Sequence, residues 1–320
     1  MDSVSQALFG GLSGSAFSRR TNLRRTFVAG AIGGSVPDLD AWVGQLFGPV
    51  QERVWHRGPT HSLVLLGILG LSIFAIKKRW PQRSFEVLQA LWLGAFTHPL
   101  LDILTGFETA WGYPFFEPSS LGWFPVLEPV MLLILVLATL SSLWKRRSDF
   151  SRRGLMVLSV WIFIVGAHHQ WVRNKVSGTN FLPSESAPIS ARPMLGSFLT
   201  YRVVWFTTND CYVAGFQPFS TTNAWSGVHR LPRVIDSAGL PAALLDKGCF
   251  VQLESGEIGD LRFALTPDSP NPLWLWSFEN GVLERRANRR MTPELRRRFL
   301  AMLRGVAQVD WTIQPRLVEP

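Results

Sequence analysis

The chain has 320 residues, room for two domains, and a slightly positive mean hydropathy that hides a division. Residues up to about 171 are rich in Leu, Ile, Val, Phe, Trp and Gly, and the remainder is polar. A net charge of +9 would suit nucleic acid, but in the first half the basic residues gather between apolar segments, the pattern of membrane topology, so no nucleic-acid function is expected. No Gly-rich phosphate loop leads from a strand to a helix and no GxSxG elbow is present, which excludes those soluble-enzyme classes.

Six apolar segments follow in chain order. Segment one, about 3–17, contains Gly10, Gly11, Gly14 and Ala16 and stops at Arg19-Arg20; segment two, about 26–37, is also rich in small residues and ends at Pro37-Asp38. Small residues permit close helix packing in a bilayer. Segment three, about 60–76, begins at His61 and stops at Lys77-Lys78-Arg79. Segment four, about 85–104, carries His98, Pro99 and Asp102 near its end, where the proline should disturb the helix. Segment five, about 129–144, follows Glu128-Pro129, and segment six, about 154–171, ends at His168-His169-Gln170-Trp171. Several runs are shorter than the roughly 20 residues that span a bilayer. Trp42, Trp55, Trp80, Trp111, Trp144 and Trp171 sit at segment ends, where interfacial anchors belong.

The basic loops at 18–25, 77–83 and 145–153 are alternate connections, so the positive-inside rule places them together in the cytoplasm. The connections 38–60 and 105–128, the N-terminus and everything after 171 then face outward. Asp2 replaces the positive start of a signal peptide, so none is expected. After 172, β-prone stretches at about 199–206, 211–216, 248–254 and 260–265 are separated by turn residues, and Thr292-Pro293-Glu294 opens an amphipathic helix over about 292–304. The expected architecture is a membrane α-helical bundle of about five to six apolar helices (1–171), followed by a small extracytoplasmic β-rich α+β domain (172–320). Arg285-Arg286, Arg289-Arg290 and Arg296-Arg297-Arg298 read as a solvated helix face or a surface for anionic headgroups. Cys211 and Cys249 are the only cysteines, either a disulfide or two buried thiols.

Chemistry-bearing residues collect at the outward ends. His98 and Asp102, four apart, share one helix face and can present two ligands to one ion, or simply bond to each other. Asp38 and Asp40 flank Leu39 after a proline; two close carboxylates repel unless a cation or proton lies between them, the alternative being a helix cap and a solvated Asp. His56 and His61 flank Arg57-Gly58-Pro59-Thr60, a stretch that must turn, with Thr60 and Ser62 able to cap segment three or orient an imidazole. Glu128 is a further candidate ligand, and Asp2 and Gln6 are candidates for supporting ligands. Each residue alone is as readily structural. Their coincidence on one face carries the weight, because neutral imidazole and carboxylate together suit zinc and similar ions.

The start Met1-Asp2-Ser3-Val4-Ser5-Gln6-Ala7, with Pro37-Asp38-Leu39-Asp40, His56-Arg57-Gly58-Pro59-Thr60-His61-Ser62, His98-Pro99-Leu100-Leu101-Asp102-Ile103-Leu104-Thr105 and Glu128-Pro129, resembles the YdjM-type family of bacterial inner-membrane metal-dependent hydrolases. The resemblance runs in order through residues 1 to about 130. It implies a membrane-bound hydrolase acting on phospholipids; Gln6 stands where many relatives have His, and Glu128 where the family more often has Asp.

The function expected from these readings is a metal-dependent hydrolase at the outer face of the bacterial inner membrane, acting on a phospholipid or other lipid-linked (phospho)ester. His56, His61, His98 and Asp102 are the preferred ligands of a divalent ion, zinc first and manganese as the alternative. Asp38 and Asp40 would hold a second ion or act as general base, and Arg57 would meet an anionic phosphate. Membrane lipids are the expected partners; the sequence leaves a protein partner and the oligomeric state open. Two other readings stand beside it: a non-enzymatic membrane protein with a structural metal or polar cluster and a partner-binding outer domain, and a transporter, whose charged residues should instead lie near the bilayer midplane.

Overall fold

The computed structural model describes residues 1–19, 22–46, 56–178, 190–194, 199–220, 224–225, 227–235, 248–253 and 256–264, and the backbone of 274–279, 282–287 and 317–318. It divides into two compact units, Met1–Ala167 and His168–Pro320.

The first unit is helical. Helix α1 (Ser3–Ser15) is capped by Asp2, whose carboxylate accepts from Ser5 N–H at 2.8 Å. Helices α2 (Leu23–Ser35), α3 (Leu39–Gln45), α4 (Leu63–Ala75), α5 (Gln82–Leu104), α6 (Pro129–Lys145) and α7 (Ser148–Ser177) follow. Short 3₁₀ turns at Pro59–His61 and Lys77–Arg79 precede and follow α4, which Ser62 caps at Leu65 N–H. Helices therefore occupy all six expected segments. Two of them, Gln82–Leu104 and Ser148–Ser177, are long and apolar enough to cross a membrane; Leu63–Ala75 and Pro129–Lys145 are shorter apolar helices.

Backbone contact between helices locates the site. A Cβ on Gly30 would lie 2.3 Å from the Gly10 carbonyl oxygen, and one on Gly94 would lie 2.0 Å from that of Gly30. Only glycine allows α1, α2 and α5 to approach this closely. The contact sets Gln6 of α1 and Gly34 of α2 beside the last turns of α5. Helix α5 runs unbroken through Pro99 to Leu104, contrary to the disturbance expected there. The turn before Pro99 is buttressed by α2, where Gly33 lies directly against Leu91 and Ala95.

The second unit is built on strands. β1 (Ser190–Pro193), β2 (Tyr201–Phe206), β3 (Asp210–Phe216) and β4 (Val228–Pro232) pair antiparallel in sequence order, and β9 (Leu317–Val318) joins β4 in parallel. A second antiparallel sheet holds β5 (Phe250–Gln252), β6 (Ile258–Asp260), β7 (Trp274–Glu279) and β8 (Val282–Ala287). The period of two explains the core. Tyr201, Val203 and Trp205 pack with Ala214, Phe216, Val172 and Val176, whereas Val204 turns to the other face with Cys211, Val213, Val251 and Leu261. A Cys211–Cys249 disulfide links β3 to the start of the second sheet. The expected helix over 292–304 lies outside the described residues.

Candidate metal centre

Four side chains from three elements converge. Asp38 stands in the turn after Pro37 at the start of α3, His61 ends the 3₁₀ turn before α4, and His98 and Asp102 lie one turn apart on α5. One donor atom from each falls within 4.8 Å of all the others. His61 Nε2 is 3.1 Å from His98 Nε2, 3.4 Å from Asp102 Oδ2 and 3.8 Å from Asp38 Oδ1. His98 Nε2 is 3.3 Å from Asp38 Oδ1 and 3.6 Å from Asp102 Oδ2. Donors bound at about 2.0–2.1 Å around a tetrahedral ion stand about 3.3–3.4 Å apart, which these separations bracket.

Outer contacts orient three of the four donors. A backbone carbonyl can only accept, so His98 Nδ1, 2.6 Å from Gly34 O, carries a proton, and in the neutral ring the lone pair is on Nε2. His61 Nδ1 faces Asp40 Oδ2 at 3.2 Å, which likewise leaves Nε2 as its donor atom. Asp102 is divided between its two oxygens. Oδ1 takes the Met1 α-amino group at 2.6 Å, the Gln6 amide at 2.9 Å and Arg57 Nη2 at 3.3 Å. Oδ2 is buried with no hydrogen-bond partner and looks only toward the two imidazoles. Two imidazole nitrogens and two carboxylate oxygens thus share one spot, buried on all sides but that of Asp38, a donor set that fits a divalent cation.

The other expected residues have separate places. Asp40 is the hub of an outer layer: Oδ1 meets His56 Nδ1 at 2.9 Å, and Oδ2 accepts from the Thr60 hydroxyl and faces His61. His56 lies outside the group of four, its ring edge-on to His61 with centroids 5.8 Å apart. Arg57 reaches Thr105 Oγ1 and Phe107 O, each at 3.3 Å, and lies over the Phe107 ring. Glu128 caps α6, accepting from Val130 and Met131 N–H and from Trp161 Nε1. Burial would raise the Asp38 carboxyl, but with no ion between them the two imidazoles can carry a proton on Nε2 and donate it to Asp38, which outweighs burial and holds that carboxyl well below its ordinary value. Asp40 is lowered likewise, burial being outweighed by His56, His61 and Thr60.

Sequence reasoning did not reach the Gly34 carbonyl, the Phe107 carbonyl or the Met1 amino group. The two carbonyls carry no side-chain signature.

Comparison with known families adds one finding. A model described as YdjM inner membrane protein matches residues 1–172. The chain belongs to this family. The match contains Asp38, His61, His98 and Asp102, and the family description names a membrane location without an activity. No curated protein and no solved structure matches the chain.

Proposed function

We propose that this YdjM-family member is a membrane-bound, metal-dependent hydrolase acting on a phospholipid or other lipid-linked (phospho)ester at the outer face of the inner membrane. The observation that carries the reading is the inward-facing Asp102 Oδ2, buried without a hydrogen-bond partner opposite two imidazole nitrogens. Asp38, His61, His98 and Asp102 would hold the ion, zinc by preference and manganese as the alternative. A divalent ion bound there would supply Lewis-acid chemistry for hydrolysis of an ester or phosphoester. Asp38 is the one member of the set with a solvent-reaching side chain, 30% exposed, so substrate and water approach on its side. Asp40 and His56, bonded to each other and adjoining His61, are placed to accept a proton there. Arg57, whose Nη2 lies 3.3 Å from Asp102 Oδ1, orients that carboxylate and supplies the positive charge to meet an anionic phosphate.

A multi-pass arrangement follows from the alternating basic loops. It is supported by exposed apolar side chains along α7, including Val160, Phe163 and Ile164. The disulfide suits an oxidising compartment and supports placing the sheet unit outside the cytoplasm. A second reading, a structural ion in a non-enzymatic membrane protein, draws on the count of four protein donors, enough to close a tetrahedral shell.

Elemental analysis of detergent-purified protein, wild type beside His61→Ala and Asp102→Ala, tests the site. An ion present in wild type and lost in both variants is the expected result. No ion on purification without chelator, and none taken up on titration, would sink the metal reading. Hydrolysis of a lipid phosphoester by the loaded wild type then separates enzyme from structural site.

A further inference from the structure

The connection between α5 and α6 contains a loop, Thr109 to Ser119, that is firmly held at its base and bare at its tip. Its ends pair with each other, Thr109 N–H to Ser119 O at 3.0 Å and Ser119 N–H to Thr109 O at 3.1 Å. Its first half is fastened to the stretch that carries His61. Ala110 N–H donates to Arg57 O and Leu63 N–H to Trp111 O, each at 2.8 Å, and the Ser62 hydroxyl donates to Tyr113 O at 2.6 Å. Within the loop, Trp111 stacks on Phe116 with centroids 5.6 Å apart, and its Nε1 donates to Ser119 Oγ at 2.8 Å.

At the tip, Tyr113 is 44% exposed, Phe115 73% and Phe116 61%. Burying apolar surface is favourable, so a fixed tip of bare aromatic rings is stabilised by a covering apolar phase. The place of the loop in the chain identifies that phase. It begins just past Leu104, the end of a helix able to cross a membrane, and Asp102 lies in the last turn of the same helix. Tip and donor cluster therefore share one end of one membrane-crossing helix, the depth at which aromatic belts form.

We propose that the 109–119 loop is an interfacial anchor: Tyr113, Phe115 and Phe116 enter the headgroup–acyl boundary of the bilayer. Through its bonds to Arg57, Ser62 and Leu63 it fixes the depth of the Asp38–His61–His98–Asp102 cluster at the level of lipid headgroups. The proposal rests on the membrane location and on none of the hydrolytic chemistry.

The test is a fluorescent label on Phe115→Cys in protein reconstituted into phosphatidylcholine vesicles. Val160→Cys on α7 serves as the lipid reference and Lys78→Cys as the water reference. The native cysteines are tied in a disulfide and stay unlabelled. The expected result is loss of emission at position 115 when the vesicles carry a nitroxide lipid, with little loss to aqueous iodide. Quenching by iodide alone, as at Lys78, would place the tip in water and overturn the proposal. Resistance to both quenchers would mean that protein, a second copy or a partner, covers the tip, and would overturn it equally. Phe115 is largely exposed, so its replacement leaves the fold intact, and none of these readings depends on catalysis.

Discussion

His98 Nδ1 lies 2.6 Å from the carbonyl oxygen of Gly34, and this contact fixes which ring nitrogen faces the donor cluster. It exists because α2 and α1 touch through backbone. A Cβ on Gly34 would come within 2.5 Å of the Gln6 carbonyl oxygen, so the tautomer of His98 depends on a glycine two helices share.

Gly34→Val should therefore damage both stability and the site. Forcing a side chain into that contact costs about 1–3 kcal/mol. Moving the Gly34 carbonyl off His98 should lower metal affinity by about 10–100-fold, the usual effect of losing an outer partner of a ligating imidazole. Thermal unfolding and metal titration in detergent measure the two. Gly67→Ala on α4 is the control: its Cβ meets nothing within 4 Å, and neither quantity should fall. Equal behaviour of the two variants would disprove the coupling.

Asp40 and Glu128 should separate cleanly. Asp40 orients His61 from outside the cluster, so Asp40→Asn should weaken metal binding by about 10–100-fold yet still reach full occupancy at high metal. Glu128 caps α6 and bonds Trp161, so Glu128→Ala should cost about 0.5–2 kcal/mol of stability and leave metal content unchanged. A folded Glu128→Ala protein without its ion would place that carboxylate at the centre instead.

Part of this arrangement was legible in the sequence for identifiable reasons. The four-residue spacing of His98 and Asp102 puts both on one helix face, and their segment is helical from Gln82 to Leu104. The apolar runs mark where helices lie but not their ends; α7 extends past its run on both sides, because polar residues at either end continue the helix. The run His56–His61 does not disclose which imidazole points inward. Arg57 adopts a left-handed backbone with φ 64°, so the chain turns between them and leaves His56 with Asp40. Glu128, expected as a candidate ligand, caps α6 and lies outside the group of four; the Pro129 that follows it is a helix-start signal that fits this role. Strands β2 and β3 fall close to their expected stretches, whereas β1 and β4 end at Pro193 and Pro232 and offer little pattern to read.

Acid should unfold the sheet unit through Asp260. This carboxylate is fully buried and held by Arg262, Nη2 at 2.7 Å and Nε at 3.0 Å. Burial alone would raise its pKa, but the charge of Arg262 and its hydrogen bonds outweigh burial and hold it below the ordinary value. A carboxyl depressed in the folded state adds stability above its unfolded pKa of about 4, and that stability is lost as pH falls further. Thermal stability of the unit, followed by near-UV circular dichroism, should fall below about pH 4. Asp260→Asn should lose about 1.5–3 kcal/mol at neutral pH, because the partly buried Arg262 loses its charge-assisted partner, and should show a shallower acid decline. A variant as stable as wild type at neutral pH would show that the pair contributes nothing.

The disulfide offers a test of stability and compartment together. Cys211 and Cys249 are 38 residues apart, and closing a loop of that length removes chain entropy worth about 4 kcal/mol from the unfolded state. Cys211→Ser should accordingly lower the unfolding temperature of the sheet unit while leaving metal content unchanged, because every donor of the cluster lies in the helical unit. Both sulfurs should resist a thiol-alkylating reagent in membranes taken directly from cells, and react only after reduction and unfolding. Disulfides persist where the compartment is oxidising, so this outcome agrees with a sheet unit outside the cytoplasm. Two alkylated thiols in unfolded protein that was never exposed to reductant would remove that support and return the unit's orientation to the basic loops alone.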